Sequence, residues 1–335
     1  MTQSSDAIVP LGAMRFNSDS QKLEYWMGSA WMQIKTFSPN LGNSTAGVRG
    51  TFAGGFSPSN SDRIDFITIP TQGDATDFGN LIAAKGAAGT CASNTRGFMG
   101  GGGGGGNVDT IQFWTFSSTG DATDFGDLQS SRHWTQPASN QTRGVWAGGH
   151  PGVNIIEFVT MAHAGNAVNF GDMSYVTAVG ANSANNSPTR GFFGGGTPTY
   201  TNVIEFINFG STGNSQDFGD SSTKVAREAR GSSATRGLLI GGVRPEPSAS
   251  TIIDFFTMSS LGNATDFGDA SATNSNSSGC SDCIRVAFAH GNNPSTTDRI
   301  DHINISTGGD ATDFGNLSQG RDHLGGCSNG HGGLG

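Results

Sequence analysis

The chain has 335 residues and a net charge of −9, with 53 glycines and only 18 Lys plus Arg. Its length suffices for a large core in one or two domains. The acidic balance is evenly spread and no basic stripe exists, which argues against duplex nucleic acid, an affinity that rests on phosphate neutralisation.

Residues 1–13 read as a short polar lead. Met1-Thr2-Gln3-Ser4-Ser5-Asp6 lacks the basic and apolar regions of a signal peptide. No apolar run anywhere reaches the length of a membrane span. Synthesis in a cytoplasm without membrane insertion is therefore expected. From Met14 to Ile34 the pattern is strand, Asn/Asp/Ser turn, strand, Gly-Ser turn, strand.

Six modules follow, from about residue 41 to 317, marked by Phe78, Phe125, Phe170, Phe218, Phe267 and Phe314 at a period of 45 to 49 residues. A fixed period of that size means a modular array, and the fold is read from the module. Each marker sits in a stretch such as Gly120-Asp121-Ala122-Thr123-Asp124-Phe125-Gly126-Asp127-Leu128. Twelve residues earlier comes Ile-acid-Phe, as in Ile64-Asp65-Phe66, with Gln112 for the acid once and His302 for the aromatic once. Arg-Gly follows the first four markers by 18 to 20 residues, with Arg49-Gly50 opening the series and Arg285-Val286 as the variant after the fifth. A glycine pair such as Gly54-Gly55 or Gly148-Gly149 comes soon after. Short alternating apolar runs between Gly/Asn/Ser turns, with no helical heptad, predict an all-β fold.

The tail, residues 318–335, repeats the opening of a module: Cys327 is in register with Cys91 and Cys280. Trp31 lies 18 residues before Arg49, where a marker phenylalanine would stand. Residues 14–40 thus read as the last strands of a module and 318–335 as its first, a composite blade that closes a β-propeller of seven blades over residues 14–335. The alternative is six blades with a separate N-terminal hairpin.

The module resembles a kelch repeat: a glycine pair closing the second strand, an aromatic third strand, and an aromatic followed by Leu in the fourth. Phe stands in Asp-Phe-Gly where kelch repeats usually carry Trp. The wording Gly-Asp-Ala-Thr-Asp-Phe-Gly-Asp-Leu, with Thr-Arg-Gly-Phe-Phe-Gly-Gly-Gly, is similar to virion proteins of marine tailed phages, cyanophages especially. The opening Gly-Ala-Met-Arg-Phe-Asn-Ser-Asp, with Lys-Leu-Glu-Tyr-Trp and Ala-Trp, resembles a short module of fibre-like proteins of the same viruses. The resemblance implies a tail- or fibre-associated structural protein of the virion with a part in host adhesion. Its expected partners are other virion proteins and a host surface glycan. A capsid or neck decoration protein and a lectin-like propeller are the alternatives.

One arginine per second strand and one acid per third strand invite cross-strand pairs: Arg49 with Asp65, Arg143 with Glu157, Arg190 with Glu205, Arg236 with Asp254, and Arg285 with Asp301. Asp121, Asp124 and Asp127 suggest turn capping before calcium, because side chains three apart on a strand do not converge. Gly100–Gly106 lacks the Lys-Ser/Thr of a phosphate loop and reads as a slack connection. Cys280-Ser281-Asp282-Cys283 has no partner pair for zinc. Only Tyr25, Tyr175 and Tyr200 could serve a copper oxidase, no His-Glu-x-x-His exists, and no serine sits in Gly-x-Ser-x-Gly. Neither an enzyme nor a cofactor or metal is expected. Ligand preference should lie in the divergent loops between second and third strands, where Phe56, His150, Tyr200 and Arg244 are the exposed candidates.

Overall fold

The computed structural model describes residues 9–17, 22–33, 48–180, 182–245, 249–292 and 295–334. The chain divides into two compact units, Met1–Asn43 and Ser44–Gly335. The first holds a three-stranded antiparallel sheet, β1 (Met14–Asn17), β2 (Lys22–Trp26) and β3 (Trp31–Gln33). Arg15 bonds Glu24 at 2.9 Å and lies over the Trp31 ring at 4.2 Å, which fixes one face of that small sheet.

The second unit is a β-propeller of four-stranded blades. Blade II runs β7 (Gly89–Ala92), β8 (Arg96–Gly100), β9 (Thr110–Thr115) and β10 (Thr123–Asp127) from the axis outward, and blade III runs β11 (Gln136–Ser139), β12 (Arg143–Ala147), β13 (Val153–Thr160) and β14 (Val168–Thr177). Blade IV comprises β15 (Asn185–Asn186), β16 (Arg190–Gly194), β17 (Thr201–Asn208) and β18 (Gln216–Val225). Blade V comprises β19 (Ala229–Ser232), β20 (Arg236–Ile240), β21 (Ser250–Thr257) and β22 (Thr265–Asn274). Blade VI comprises β23 (Ser278–Ser281), β24 (Arg285–Ala289), β25 (Arg299–Asn304) and β26 (Thr312–Asn316). Blade I joins the two ends of the unit: β27 (Gly325–Ser328) pairs with β4 (Arg49–Ala53), followed by β5 (Arg63–Thr68) and β6 (Thr76–Asn80).

A composite closing blade is thus present, but its make-up corrects the count. Among the described residues there are seven sheets; six are four-stranded blades and the seventh is the N-terminal three-stranded sheet, in which β3 pairs with β2. The innermost strands adjoin in one closed cycle, β27–β7–β11–β15–β19–β23 and back to β27. β27 pairs with β4, and β1–β3 form a separate three-stranded sheet, the arrangement of the alternative with six blades and a separate N-terminal hairpin. Residues 34–40, which the composite-blade reading included, lie outside the described residues. The tail contributes one strand rather than two; Gly332, at the register of the module arginine, falls instead in a 3-10 turn, Gly332–Leu334.

Inner strands carry small side chains, as in GTCA and SGCS, and are buried along their whole length, since six of them converge on one axis. Marker phenylalanines are 2–7% exposed and pack between blades. Phe125, for example, clusters with Phe98 and Ile111 of its own blade and with Trp146 and Met161 of the next. Each marker meets the third-strand aromatic of its blade at 5.3–6.0 Å between ring centroids, mostly edge-on, as Phe66 meets Phe78 and His302 meets Phe314.

The recurring Gly-Asp-Ala-Thr-Asp-Phe-Gly stretch is the seam between blades. At the seam of blades I and II, the Gly120 N–H donates to Phe78 O (2.8 Å), the Ala122 N–H donates to Asn80 O (2.8 Å), and Asp121 Oδ1 accepts the Asn80 N–H (2.9 Å). The same three contacts recur at all six seams, and Asn316 with Asp74 completes the circle between blades VI and I. The first acidic or amide residue of the stretch therefore caps the neighbouring blade's outer strand rather than its own turn. Outer edges that would otherwise template aggregation are occupied over this length.

The proposed Arg–acid pairs are corrected. In blade I the register sets Arg49 opposite Thr68 and Asp65 opposite Phe52, so the two charges sit at different levels of the hairpin. Arg49, Arg143, Arg190, Arg236 and Arg285 instead each donate to backbone carbonyls of another blade: Phe116, Phe209, Met258, Ile305 and Ile69. All but Arg285 also lie over their own third-strand phenylalanine, at 4.6–5.2 Å. We expect Arg143→Gln to lower stability by about 1–3 kcal/mol through loss of a buried-edge hydrogen bond and a cation–π contact. Calorimetry reads this as a fall in Tm, and an unchanged Tm would contradict the role.

The acids Asp65, Glu157, Glu205, Asp254 and Asp301 are 0–1% exposed and bind across the seam in the other direction. Each accepts the backbone N–H four residues after the preceding blade's marker: Ser318, Gln129, Ser174, Ser222 and Ser271 respectively. Three of them have a further side-chain partner from elsewhere. Arg321 meets Asp65 at 3.0 Å, Arg132 meets Glu157, and His290 and Arg299 meet Asp301, both at 2.8 Å. Burial alone would raise the Asp301 carboxyl, but bonds from His290, Ser271 and Arg299 outweigh it and hold it well below the carboxylate range.

Candidate functional site: the rim of the central channel

The two mouths of the channel differ. At the mouth formed by the turns after the inner strands, the tail folds inward and is buried through Leu334. His331 Nε2 bonds Ala92 O at 2.8 Å, and Gln141 Nε2 donates to Leu334 O at 3.1 Å. Burial lowers the His331 pKa to about 4.

The opposite mouth carries the lead-ins to the inner strands and the loops between second and third strands. Nine residues after each marker stand Ala87, Trp134, Val179, Arg227, Asn276 and His323. Five of these, all but Val179, hold a left-handed backbone, with φ between 52° and 62°. Non-glycine residues rarely adopt that region, and its recurrence marks a constrained collar. Backbone bonds run around it: His323 N to Asn276 O (3.1 Å), Ala87 N to His323 O (2.7 Å), Trp134 N to Ala87 O (2.5 Å) and Gly180 N to Trp134 O (3.2 Å). Just outside the collar, each lead-in bridges the loop of its own blade, as in Phe56 with Asp322, Gly86 with Gly103, and His133 with His150.

The backbone of the rim repeats, but its side chains do not. Trp134 lies at the mouth in tilted ring contact with His133 (4.4 Å between centroids) and His323 (5.9 Å), with the Arg227 guanidinium at 5.2 Å from its ring. His150 lies 4.7 Å from His133, whose Nδ1 bonds Asn107 Oδ1 at 2.7 Å. Burial, with His150 and His323 nearby, lowers the His133 pKa to about 4. Both His133 and His331 thus stay neutral in the folded chain while an unfolded histidine titrates near 6.5. Below that value the unfolded state binds more protons, so stability falls as pH drops from about 6.5 toward 4. A melting series from pH 7.5 to 4.5 should show a steady decline in Tm, and a flat profile would contradict both assignments.

Between blades I and III, blade II contributes Gly86, Ala87 and Gly103 beside Phe56. The result is a cleft of about 290 Å³ lined by Phe56, Asn60, Gly86, Ala87, Gly103 and His323. The glycine run from Gly100 to Gly106 is therefore not slack: Gly103 bridges both Gly86 and Asn107.

Of the four loop candidates, the structure brings two to this rim. Phe56 is 44% exposed at the cleft, and His150 is exposed beside His133. Tyr200 is half-buried in the loop before β17. Arg244 is corrected from exposed to buried; it lines a separate cleft of about 480 Å³ with Thr223, Lys224 and Thr251. His133, Trp134, Arg227 and His323 were not singled out from sequence. Trp134, Arg227 and His323 share one register position, nine residues after a marker, which reads Ala, Trp, Val, Arg, Asn, His through the modules.

Among the described residues no group of three or more His, Cys, Asp or Glu side chains is placed to hold a metal ion. Cys91, Cys280 and Cys327 are buried free thiols at one register on adjacent inner strands, and Cys283 is half-buried. Comparison of the sequence with protein-family models and with curated proteins finds no match.

Proposed function

We propose that this chain is a non-enzymatic structural component of a tailed-phage particle, associated with the tail or its fibres, that displays the channel rim for attachment to the host surface. The observation that carries the reading is the contrast between six seams of one construction and a single rim of unlike side chains. A molecule whose seams repeat while one mouth varies is built as a rigid platform for recognition at that mouth. The likeness of the repeated stretch to kelch-like virion proteins of marine phages supplies the setting, in which the chain is made in the host cytoplasm and assembled with other virion proteins.

Antibody-gold labelling of purified particles tests this. Label at the tail or fibres is the expected result. Label over the head would turn the reading to a capsid or neck decoration protein, and clean particles without label would overturn the virion assignment.

A further inference from the structure

We propose that one face of the N-terminal sheet is a self-association surface, which packs against the same face of a second copy of this chain. The inference is independent of the virion reading. Its basis is a row of exposed apolar side chains on a unit too small to bury them by itself.

Strand register sorts the side chains of β1, β2 and β3. Met14 stands opposite Tyr25, Phe16 opposite Leu23, and Tyr25 opposite Met32. Side chains alternate between the two faces of a sheet, so these five residues share one face. Four of them are strongly exposed: Phe16 at 66%, Met14 at 60%, Met32 at 43% and Tyr25 at 40%. Leu11 and Met27, at the ends of β1 and β2, are exposed as well. The opposite face is occupied from within. There Arg15 bonds Glu24, the Arg15 guanidinium covers the Trp31 ring, and Trp26 meets Trp31 at 5.5 Å between centroids. Residues of the three strands that fall on the apolar face include no charged one.

Three observations point to a second copy as the occupant. The first is size. A small sheet needs its apolar face packed to be stable, and units of about 40 residues usually rely on a disulfide, a metal or oligomerisation. Met1–Asn43 contains no cysteine, and among the described residues no cluster is placed to hold a metal ion. Association is the remaining route. The second is charge. Asp6, Asp19 and Glu24 balance Arg15, Lys22 and Lys35, so this unit carries no net charge and the whole −9 of the chain lies beyond it. Copies can therefore meet here without the like-charge repulsion that opposes contact between two acidic propellers. The third is the chemistry of the face. Homodimer surfaces resemble an apolar core cut in half, whereas a partner of different sequence is selected largely by charged and polar groups. The Tyr25 hydroxyl is the one polar side-chain group this face offers. A twofold axis would set the patch against itself, the isologous contact that closes without leaving a free surface.

Sedimentation equilibrium of the full chain over a range of concentrations tests this. A mass of at least two chains is expected as concentration rises. Phe16→Glu and Met32→Glu should each raise the dissociation constant about tenfold or more, because each sets a charge against apolar surface. Phe16→Leu should keep the association. Either glutamate can also unfold so small a sheet, and cross-linking supplies a measurement free of that ambiguity. Tyr25→Cys, on the face, should be joined between copies by a short bis-maleimide, whereas Ser29→Cys, in the turn between β2 and β3, should not. Cys91, Cys280 and Cys327 are buried and Cys283 is half-buried, and the parent chain measures their background. A single-chain mass at every concentration, the result of a face covered within its own chain, overturns the inference. Association that survives Phe16→Glu, or equal cross-linking of the two thiol variants, overturns it as well.

Discussion

Gly315→Ala should be among the most damaging single-methyl changes in this chain, lowering stability by about 2–4 kcal/mol. Gly315 belongs to the marker stretch at the seam between the last blade and the first. Its φ is 148°, and a Cβ built on it would lie 2.6 Å from Gly73 O and from Gly73 C. Those atoms are backbone, held by the Gly73 N–H bond to Phe314 O at 3.0 Å, so no side chain can rotate away. The seam must open, and here it is the seam that closes the ring. Gly73→Ala is the matched control: its φ is 145°, yet a Cβ there meets nothing within 4 Å. It should cost only the backbone strain of about 1 kcal/mol. Urea denaturation of the two variants separates steric opening from strain. Equal midpoints would mean that close approach at the seam does not limit stability.

Asp65→Ala should destabilise by about 3–5 kcal/mol, the cost of leaving a buried charge without its partner. Both side chains of the Asp65–Arg321 pair are 0% exposed, with 3.0 Å between them. Asp65 also accepts the Ser318 hydroxyl at 2.6 Å, and Arg321 reaches Phe52 O at 3.3 Å. The pair therefore ties the segment leading into β27 to the blade that β27 completes. The double variant Asp65→Ala/Arg321→Met removes both charges and should recover a large part of the loss, since the penalty belongs to the unpaired guanidinium. Limited proteolysis should cut the tail of the single variant faster than that of the double. Losses that simply add would show that the two groups do not act together.

The contrast between these two sites marks where sequence reading reaches its limit. The seam belongs to a stretch that recurs six times, and its importance could be read from recurrence, although its direction could not. Asp121 looked like a cap for its own turn, whereas its carboxylate serves the strand of the blade before it. Arg49 and Asp65 looked like partners because each occurs once per module on adjacent strands. Pairing registers then set them at different levels, and a period alone does not carry register. Arg321 and Arg132 lie outside the repeated words, so nothing in the pattern announced them as the countercharges of Asp65 and Glu157.

The rim divides in the same way. Phe56 and His150 could be picked out as conspicuous residues in divergent loops. Trp134, Arg227 and His323 share a register position, but their meeting over one channel depends on the closure of the ring, which brings blades I, III and V to a common axis. Arg244 occupies an equally divergent loop and is buried, because loop length does not decide whether a guanidinium turns toward solvent or toward Asp254.

By itself the sequence determined the all-β class, the module, its six-fold recurrence and the use of the tail to complete a blade begun elsewhere in the chain. These follow from local patterns: alternation, turn residues and a period. Only the tertiary structure decided the number of blades, which strand closes the ring, who pairs with whom across a seam and which loops share a mouth. Those depend on contacts between residues as far apart as Asp65 and Arg321. Register and ring closure select such contacts, and no local pattern encodes them.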